Sequence, residues 1–251
     1  MRDLTYPAVV VAAKTAFAAF GVSVDARGTE HVPRHGPALL ALNHISYVDF
    51  VFGGLATDPS GRLVRFMSKR ELFTHRFAGP LMRSLHHIEV DRGAGLESYA
   101  EAVRVLQTGE VVGIFPEATI SRAMELKVFK TGATRLAAEA GVALVPAVLW
   151  GTQRIMTKDH PRDLSRGHHV AITVGEPLRP SGADPVAETR ELKTRMGELL
   201  DDSIRRYPVS PQGQWWAPAS YGGTAPTLEE AARLDAAERR ERATRRARDR
   251  R

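Results

Sequence analysis

The chain has 251 residues, a formal charge of +6, nine histidines and no cysteine, and 43% of it is hydrophobic. That length and composition suit one large α/β domain or two small ones around a packed core, and the lack of cysteine excludes disulfides, a thiol nucleophile and thiolate metal sites. The excess charge is local, since from Arg239 onward eight arginines face only Glu241 and Asp249, so the body is near neutral and a whole-domain nucleic-acid binder is disfavoured.

Residues from about Tyr6 to Phe20 are apolar nearly all round, with Lys14 and Thr15 the exceptions, and predict a helix. A spanning helix needs about 20 apolar residues, and this segment is shorter and charged. Arg2 offset by Asp3 makes a poor signal-peptide start. The helix is read as lying on a membrane surface or packed on the domain, with residues 1–34 as helix and lead-in.

From residue 35 to 207 strand and helix alternate, which predicts an α/β domain with a mixed, largely parallel sheet flanked by helices. Pro37 to Leu42 is a buried strand, followed by Ser46 as a candidate N-cap and a helix from Tyr47 to Leu55. Leu63 to Met67 is the next strand, and Glu71 to Leu85 one or two short helices interrupted at Gly79-Pro80. Ile88 to Val90 is a short strand and Leu96 to Leu106 an amphipathic helix stopped near Gly109. Val111 to Phe115, Val142 to Trp150 and Val170 to Val174 are strands. Gly132 to Ala140 is a helix closed by Gly141, and Pro185 to Arg206 a long last helix. Residues 208–227, punctuated by proline and glycine around Trp215-Trp216, read as a linker. Residues 228–251 read as an Arg-rich tail, partly helical or disordered.

Polar residues collect at three strand ends: Asn43-His44 with Asp49, Asp91-Arg92, and Glu117 with Thr119. On one helix His44 and Asp49 would lie about 140° apart and would not meet. At a strand–helix junction the chain can bend back, so that Asp49 orients an imidazole acting as base. The same residues fit a capping box, Ser46-x-x-Asp49, and each strand end alone fits a sheet meeting water. Convergence on one edge of a parallel sheet favours a site, because ligands bind in the crevice beyond the carboxyl ends of such strands. No glycine-rich phosphate loop, dinucleotide fingerprint or serine nucleophile elbow is present. The pairs His86-His87 and His168-His169 would point to opposite faces of a strand, so no metal site is predicted.

Asn43-His44-Ile45-Ser46-Tyr47-Val48-Asp49 resembles the His-x4-Asp block of the glycerolipid acyltransferases, the lysophosphatidic acid acyltransferase (PlsC-like) family. Ile88-Glu89-Val90-Asp91-Arg92 resembles the second block. Phe115-Pro116-Glu117-Ala118-Thr119-Ile120-Ser121 is similar to the third, and Val145-Pro146-Ala147-Val148 to the fourth. Segments around Lys69 and Lys130 also fall where the family carries similar ones, and the likeness spans roughly residues 35–180.

The resemblance implies an α/β acyltransferase fold with an N-terminal membrane-associated helix. It implies an acyl-CoA or acyl-carrier protein donor, a lysophospholipid acceptor and no cofactor. The expected roles are His44 as general base, Asp49 as its orienter, and Arg92 as phosphate clamp with Lys69 and Lys130 secondary. Glu117 and Thr119 are expected to line the acceptor pocket. The chain would then be peripheral or monotopic on the cytoplasmic side of the cell membrane, binding no specific nucleic acid.

One departure bears on the acceptor. The family's third block is Phe-Pro-Glu-Gly-Thr-Arg-Ser, and here its glycine is Ala118 and its arginine Ile120, which removes five donors and a fixed charge. Arg122 is a candidate substitute. Acyl transfer to another lysophospholipid or a glycolipid hydroxyl, thioester hydrolysis, and a non-catalytic membrane-binding module are the alternatives.

Overall fold

The computed structural model describes residues 5–91 and 95–249. Its strands are β1 (Ser23–Arg27), β2 (Ala38–Leu42), β3 (Val64–Lys69), β4 (Ile88–Val90), β5 (Val111–Ile114), β6 (Ala143–Trp150) and β7 (His169–Val174). The helices are α1 (Thr5–Ala19), α2 (Asp49–Leu55), α3 (Arg70–Thr74), α4 (Ala78–Ser84), α5 (Gly95–Gln107), α6 (Gly132–Ala140), α7 (Pro185–Arg206) and α8 (Leu228–Asp249). The strands form one sheet in the order β1-β7-β6-β2-β5-β3-β4. All pairs are parallel except β6 with β7. The mixed, largely parallel sheet expected from the sequence is therefore present.

Alternation along β2 sends its side chains to two apolar layers. Leu39 and Ala41 join a cluster built with α5, α6 and α7, whereas Ala38, Leu40 and Leu42 join one with Phe52 and Ala56. With both faces covered, β2 is buried along its whole length, and only its carboxyl end offers polar groups to a ligand. The long helix α7 starts where local chemistry dictates. Asp184 Oδ1 accepts from the N–H groups of Val186 (3.1 Å) and Ala187 (3.0 Å), and Pro185 occupies the first turn. Gly141, at φ 65°, closes α6.

The structure departs from the sequence reading in several places. β1 lies inside the stretch expected to be only a lead-in, and pairs with β7 through Ser23 to Arg27. The helical break falls at His75 to Phe77 rather than at Gly79-Pro80. Pro80 sits in the first turn of α4, where its missing N–H costs nothing. A Cβ on Gly79 would lie 2.2 Å from the Phe73 carbonyl oxygen, so glycine here permits α3 and α4 to touch. Residues 208–227 are not a free linker, because Trp216, Ala217 and Ala225 enter the core beside α7. The tail, read as partly helical, forms α8, which begins with a capping box in which Glu230 Oε2 accepts from the Thr227 N–H (2.8 Å).

Helix α1 rests on the domain through two aromatics. The Tyr6 hydroxyl donates to the Val64 carbonyl (2.9 Å) and Phe17 stacks on Phe52 at 4.6 Å. Much of the rest faces outward, Val11 being 63% exposed. Among the described residues no helix is long and apolar enough to cross a membrane.

Candidate active site

Because β2, β5, β3, β4 and β6 run parallel, their carboxyl ends share one edge, and His44, Glu117 and Thr152 follow three of them. His44 leaves β2 and the chain turns back at once. Its Nδ1 lies 2.9 Å from Asp49 Oδ2, which also accepts from the N–H groups of Ile45 (2.8 Å) and Ser46 (2.7 Å). The Thr152 hydroxyl donates to the other oxygen, Asp49 Oδ1, at 2.7 Å. Asp49 is wholly buried with four partners, so its carboxylate fixes both the turn and the ring. Asp49 forms the first turn of α2, as expected, but Val48 rather than Ser46 is the N-cap. Ser46 Oγ instead accepts from the Val48 N–H (3.2 Å) and donates to the Met156 carbonyl (2.6 Å).

With Nδ1 turned to a carboxylate, a neutral imidazole carries its proton there and leaves Nε2 as the basic nitrogen. The ring stacks on Phe115 at 4.3 Å, and its side chain keeps 22% exposure, enough for a substrate to reach it. The segment after β6 cradles the turn. Thr157 Oγ1 donates to the Ile45 carbonyl (2.7 Å), and the Tyr47 N–H donates to the Met156 carbonyl (3.0 Å). Asn43 ties β2 to β6, accepting from the Leu149 N–H (2.7 Å) and donating to its carbonyl (3.0 Å).

Glu117 is placed otherwise than an open pocket wall would require. It is buried, with Oε1 accepting from the His44 N–H (2.8 Å) and Oε2 from the Lys127 N–H (3.0 Å). Oε1 thus holds the backbone that carries the imidazole and Oε2 ties it to the β5–α6 loop, which is the work of a positioning residue. Burial pushes its carboxyl up to about 7 against these two stabilising donors. The native state therefore keeps a proton that the unfolded chain, near 4.5, has already lost. Stability should fall as pH rises from about 4.5 to 7 and then level off, since there the native state binds more protons. Denaturant unfolding at pH 5 and pH 8 checks this, and Glu117→Gln should flatten that component of the slope.

Thr119 is half-buried and accepts from Lys127 Nζ at 2.5 Å. Lys69 ends β3 and Lys130 lies between β5 and α6, both exposed. Arg92 lies outside the described residues. Ala118 holds φ 59°, a left-handed conformation that costs a residue with a Cβ about 1–2 kcal/mol, so the glycine usual in this block would be more at ease. Ile120 is buried. Arg122 turns toward Asp159, Asp235 and Glu238.

Thr152, Lys127 and the two acids of α8 escaped sequence reasoning. The polar pair Thr152-Gln153, one glycine beyond the apolar β6, is the signal that could have found the first. A groove of about 960 Å³ opens at the amino ends of β3 to β5, away from His44. Its arginines are engaged: Arg62 donates to the Gly36 carbonyl, Arg65 to the Leu85 carbonyl and Arg83 to the Phe73 carbonyl, and Arg104 pairs with Glu101.

A family model described as Acyltransferase matches residues 23–150. The 1-acyl-sn-glycerol-3-phosphate acyltransferase of Bacillus subtilis (strain 168) is 30% identical over 178 residues, covering 68% of this chain and 84% of that protein. A chloroplastic 1-acyl-sn-glycerol-3-phosphate acyltransferase of Arabidopsis thaliana is 29% identical over 71% of this chain, which spans only 49% of that longer protein. The crystal structure of the 1-acyl-sn-glycerophosphate acyltransferase PlsC from Thermotoga maritima shares the fold, with a TM-score of 0.66, 21% identity and 78% of each chain covered.

Proposed function

The chain belongs to the acyltransferase family, among its PlsC-like glycerolipid O-acyltransferases, and from that premise we propose the reaction and its machinery. A thioester donor, acyl-CoA or acyl-carrier protein, gives its fatty acyl chain to the free hydroxyl of 1-acyl-sn-glycerol 3-phosphate, yielding phosphatidic acid. The observation that carries this reading is the contact of 2.9 Å between His44 Nδ1 and Asp49 Oδ2.

His44 Nε2 takes the hydroxyl proton as the oxygen attacks the thioester carbonyl, and Asp49 stabilises the imidazolium that forms. Collapse of the tetrahedral intermediate breaks the carbon–sulfur bond, and the departing thiolate takes the proton from His44. The new ester and a free thiol leave together, with no acyl-enzyme. Glu117 and Asn43 position the base, Thr119 lines the acceptor side, and Arg92, with Lys69 and Lys130, meets phosphate.

Peripheral attachment to the cytoplasmic side of the membrane belongs to this proposal. It is supported by apolar side chains left in solvent on four helices: Val11 on α1, Phe50 on α2, Leu72 on α3 and Leu81 on α4. The Arg-rich chain end would meet anionic lipid there, at about 1 kcal/mol per cation.

The buried Ile120 favours a second acceptor reading, another lysophospholipid or a glycolipid hydroxyl. Incubation of the full chain with one acyl-CoA and each acceptor separates them. We expect the highest kcat/KM with 1-acyl-sn-glycerol 3-phosphate. Acylation of a different hydroxyl would reassign the acceptor, and thiol release without acceptor would make the protein a thioesterase. No thiol release at all would leave a binding module.

A further inference from the structure

Three cations of the catalytic domain meet beside the His44 turn. Arg122 and Lys127 come from the β5–α6 loop and Lys158 from the β6–β7 loop, and all three are largely buried. Covalent neighbours tie them to the base: the Ser121 N–H donates to the His44 carbonyl (2.7 Å), and the Lys127 N–H reaches Glu117. The cluster is closed from outside the domain. Asp235 of α8 receives Arg122, Lys127 Nζ (2.7 Å) and Lys158 Nζ (3.2 Å), while Glu238 receives Arg122 Nη2 (3.1 Å) and Lys158 Nζ (3.1 Å).

Charge counting explains what the domain offers without α8. Three cations against Asp159, the one acid of the domain among these pairs, leave two positive charges. A phosphomonoester carries about two negative charges at neutral pH. Its oxygens also suit the same donors that two carboxylates now engage. We propose that Arg122, Lys127 and Lys158 form an anion site that supplements Arg92, Lys69 and Lys130 in holding the phosphomonoester of the lipid acceptor, occupied in the resting chain by Asp235 and Glu238. This rests on the phosphate-bearing acceptor proposed above, and it assigns to Arg122 and its neighbours the charge that Ile120 withdrew.

α8 is suited to be displaced. Among its described side chains only Ala231 and Asp235 are buried, and Leu228 and Leu234 stay 43% and 45% exposed. Ion pairs rather than apolar area therefore hold it down. The preceding segment stays anchored by Trp216 and Ala225 in the core, so release of α8 would leave the domain intact.

The test uses the full chain carrying Asp235→Asn and Glu238→Gln, with inorganic phosphate as the probe. Calorimetry should show phosphate binding about tenfold tighter than in the wild type. KM for 1-acyl-sn-glycerol 3-phosphate should fall by a similar factor, and KM for monoacylglycerol, which lacks phosphate, should not change. Adding Arg122→Ala should abolish the gain. Glu238→Gln alone, at a half-buried position, should give a smaller shift in the same direction and serves if the double variant does not fold. Unchanged phosphate binding in a variant that melts like wild type would overturn the proposal. If phosphate binding tightens but the phosphorylated acceptor is not acylated, the anion site stands and the assigned acceptor falls. If that acceptor is acylated while neither constant moves, the anion site falls and the reaction stands.

Discussion

Replacing His44 by alanine is expected to lower kcat by about 10²–10⁴-fold, the range of a positioned general base. The fold should survive, because the ring is partly exposed and Asp49 retains its bonds to Ile45, Ser46 and Thr152. Donor and acceptor KM should change little, since the proton is transferred only on the way to the transition state. Circular dichroism melting and steady-state kinetics measure the two halves of this expectation. Imidazole added to the variant should restore part of the rate. Turnover like that of the wild type would remove His44 from the chemistry.

Asp49→Asn should be nearly as damaging to turnover and, unlike the first change, should also weaken the fold. The carboxylate accepts four hydrogen bonds with no exposure to water. An amide places a donor where one oxygen stood, so either the Thr152 hydroxyl turns from donor to acceptor and its own proton loses its partner, or the His44–Ile45–Ser46 group faces N–H with N–H. Leaving a buried donor unsatisfied costs about 1–3 kcal/mol. At this chain length that corresponds to a melting midpoint lower by about 2–4 °C per kcal/mol. Turnover should fall by about 10²–10⁴-fold, because the imidazole loses the partner that sets its tautomer and stabilises its charge. An Asp49→Asn protein that melts lower but turns over normally would restrict Asp49 to holding the turn.

Where apolar periodicity and a cap coincide, the elements could be read directly. Helices α6 and α7 have the bounds that Gly141 and Asp184-Pro185 imply. The edge strand β1 was obscured because Asp25 and Arg27 interrupt its apolar pattern, and its pairing is decided by β7, far along the chain. The break between α3 and α4 was misplaced because Gly79 serves a tertiary approach to Phe73 that local propensity does not encode.

The site divides the same way. His44 and Asp49 are close in sequence, so their junction was legible and the structure joins them. Thr152 lies 103 residues from Asp49, and Asp235 lies 113 from Arg122. Only the sheet order and the path of the tail bring those pairs together. Composition misled as well. A Pro- and Gly-rich stretch reads as linker until Trp216 finds the core, and an Arg-rich tail conceals the two acids that dock it.

The central claim is direct transfer from thioester to lipid hydroxyl with His44 as base. A quenched single-turnover reaction with labelled acyl-CoA tests it, following free thiol, acylated lipid and acylated protein together. Direct transfer requires one thiol released per lipid ester formed, both dependent on acceptor, both slowed equally by His44→Ala, and no label on the protein. Label accumulating on the protein before lipid product appears, or an unslowed His44→Ala reaction, would contradict it.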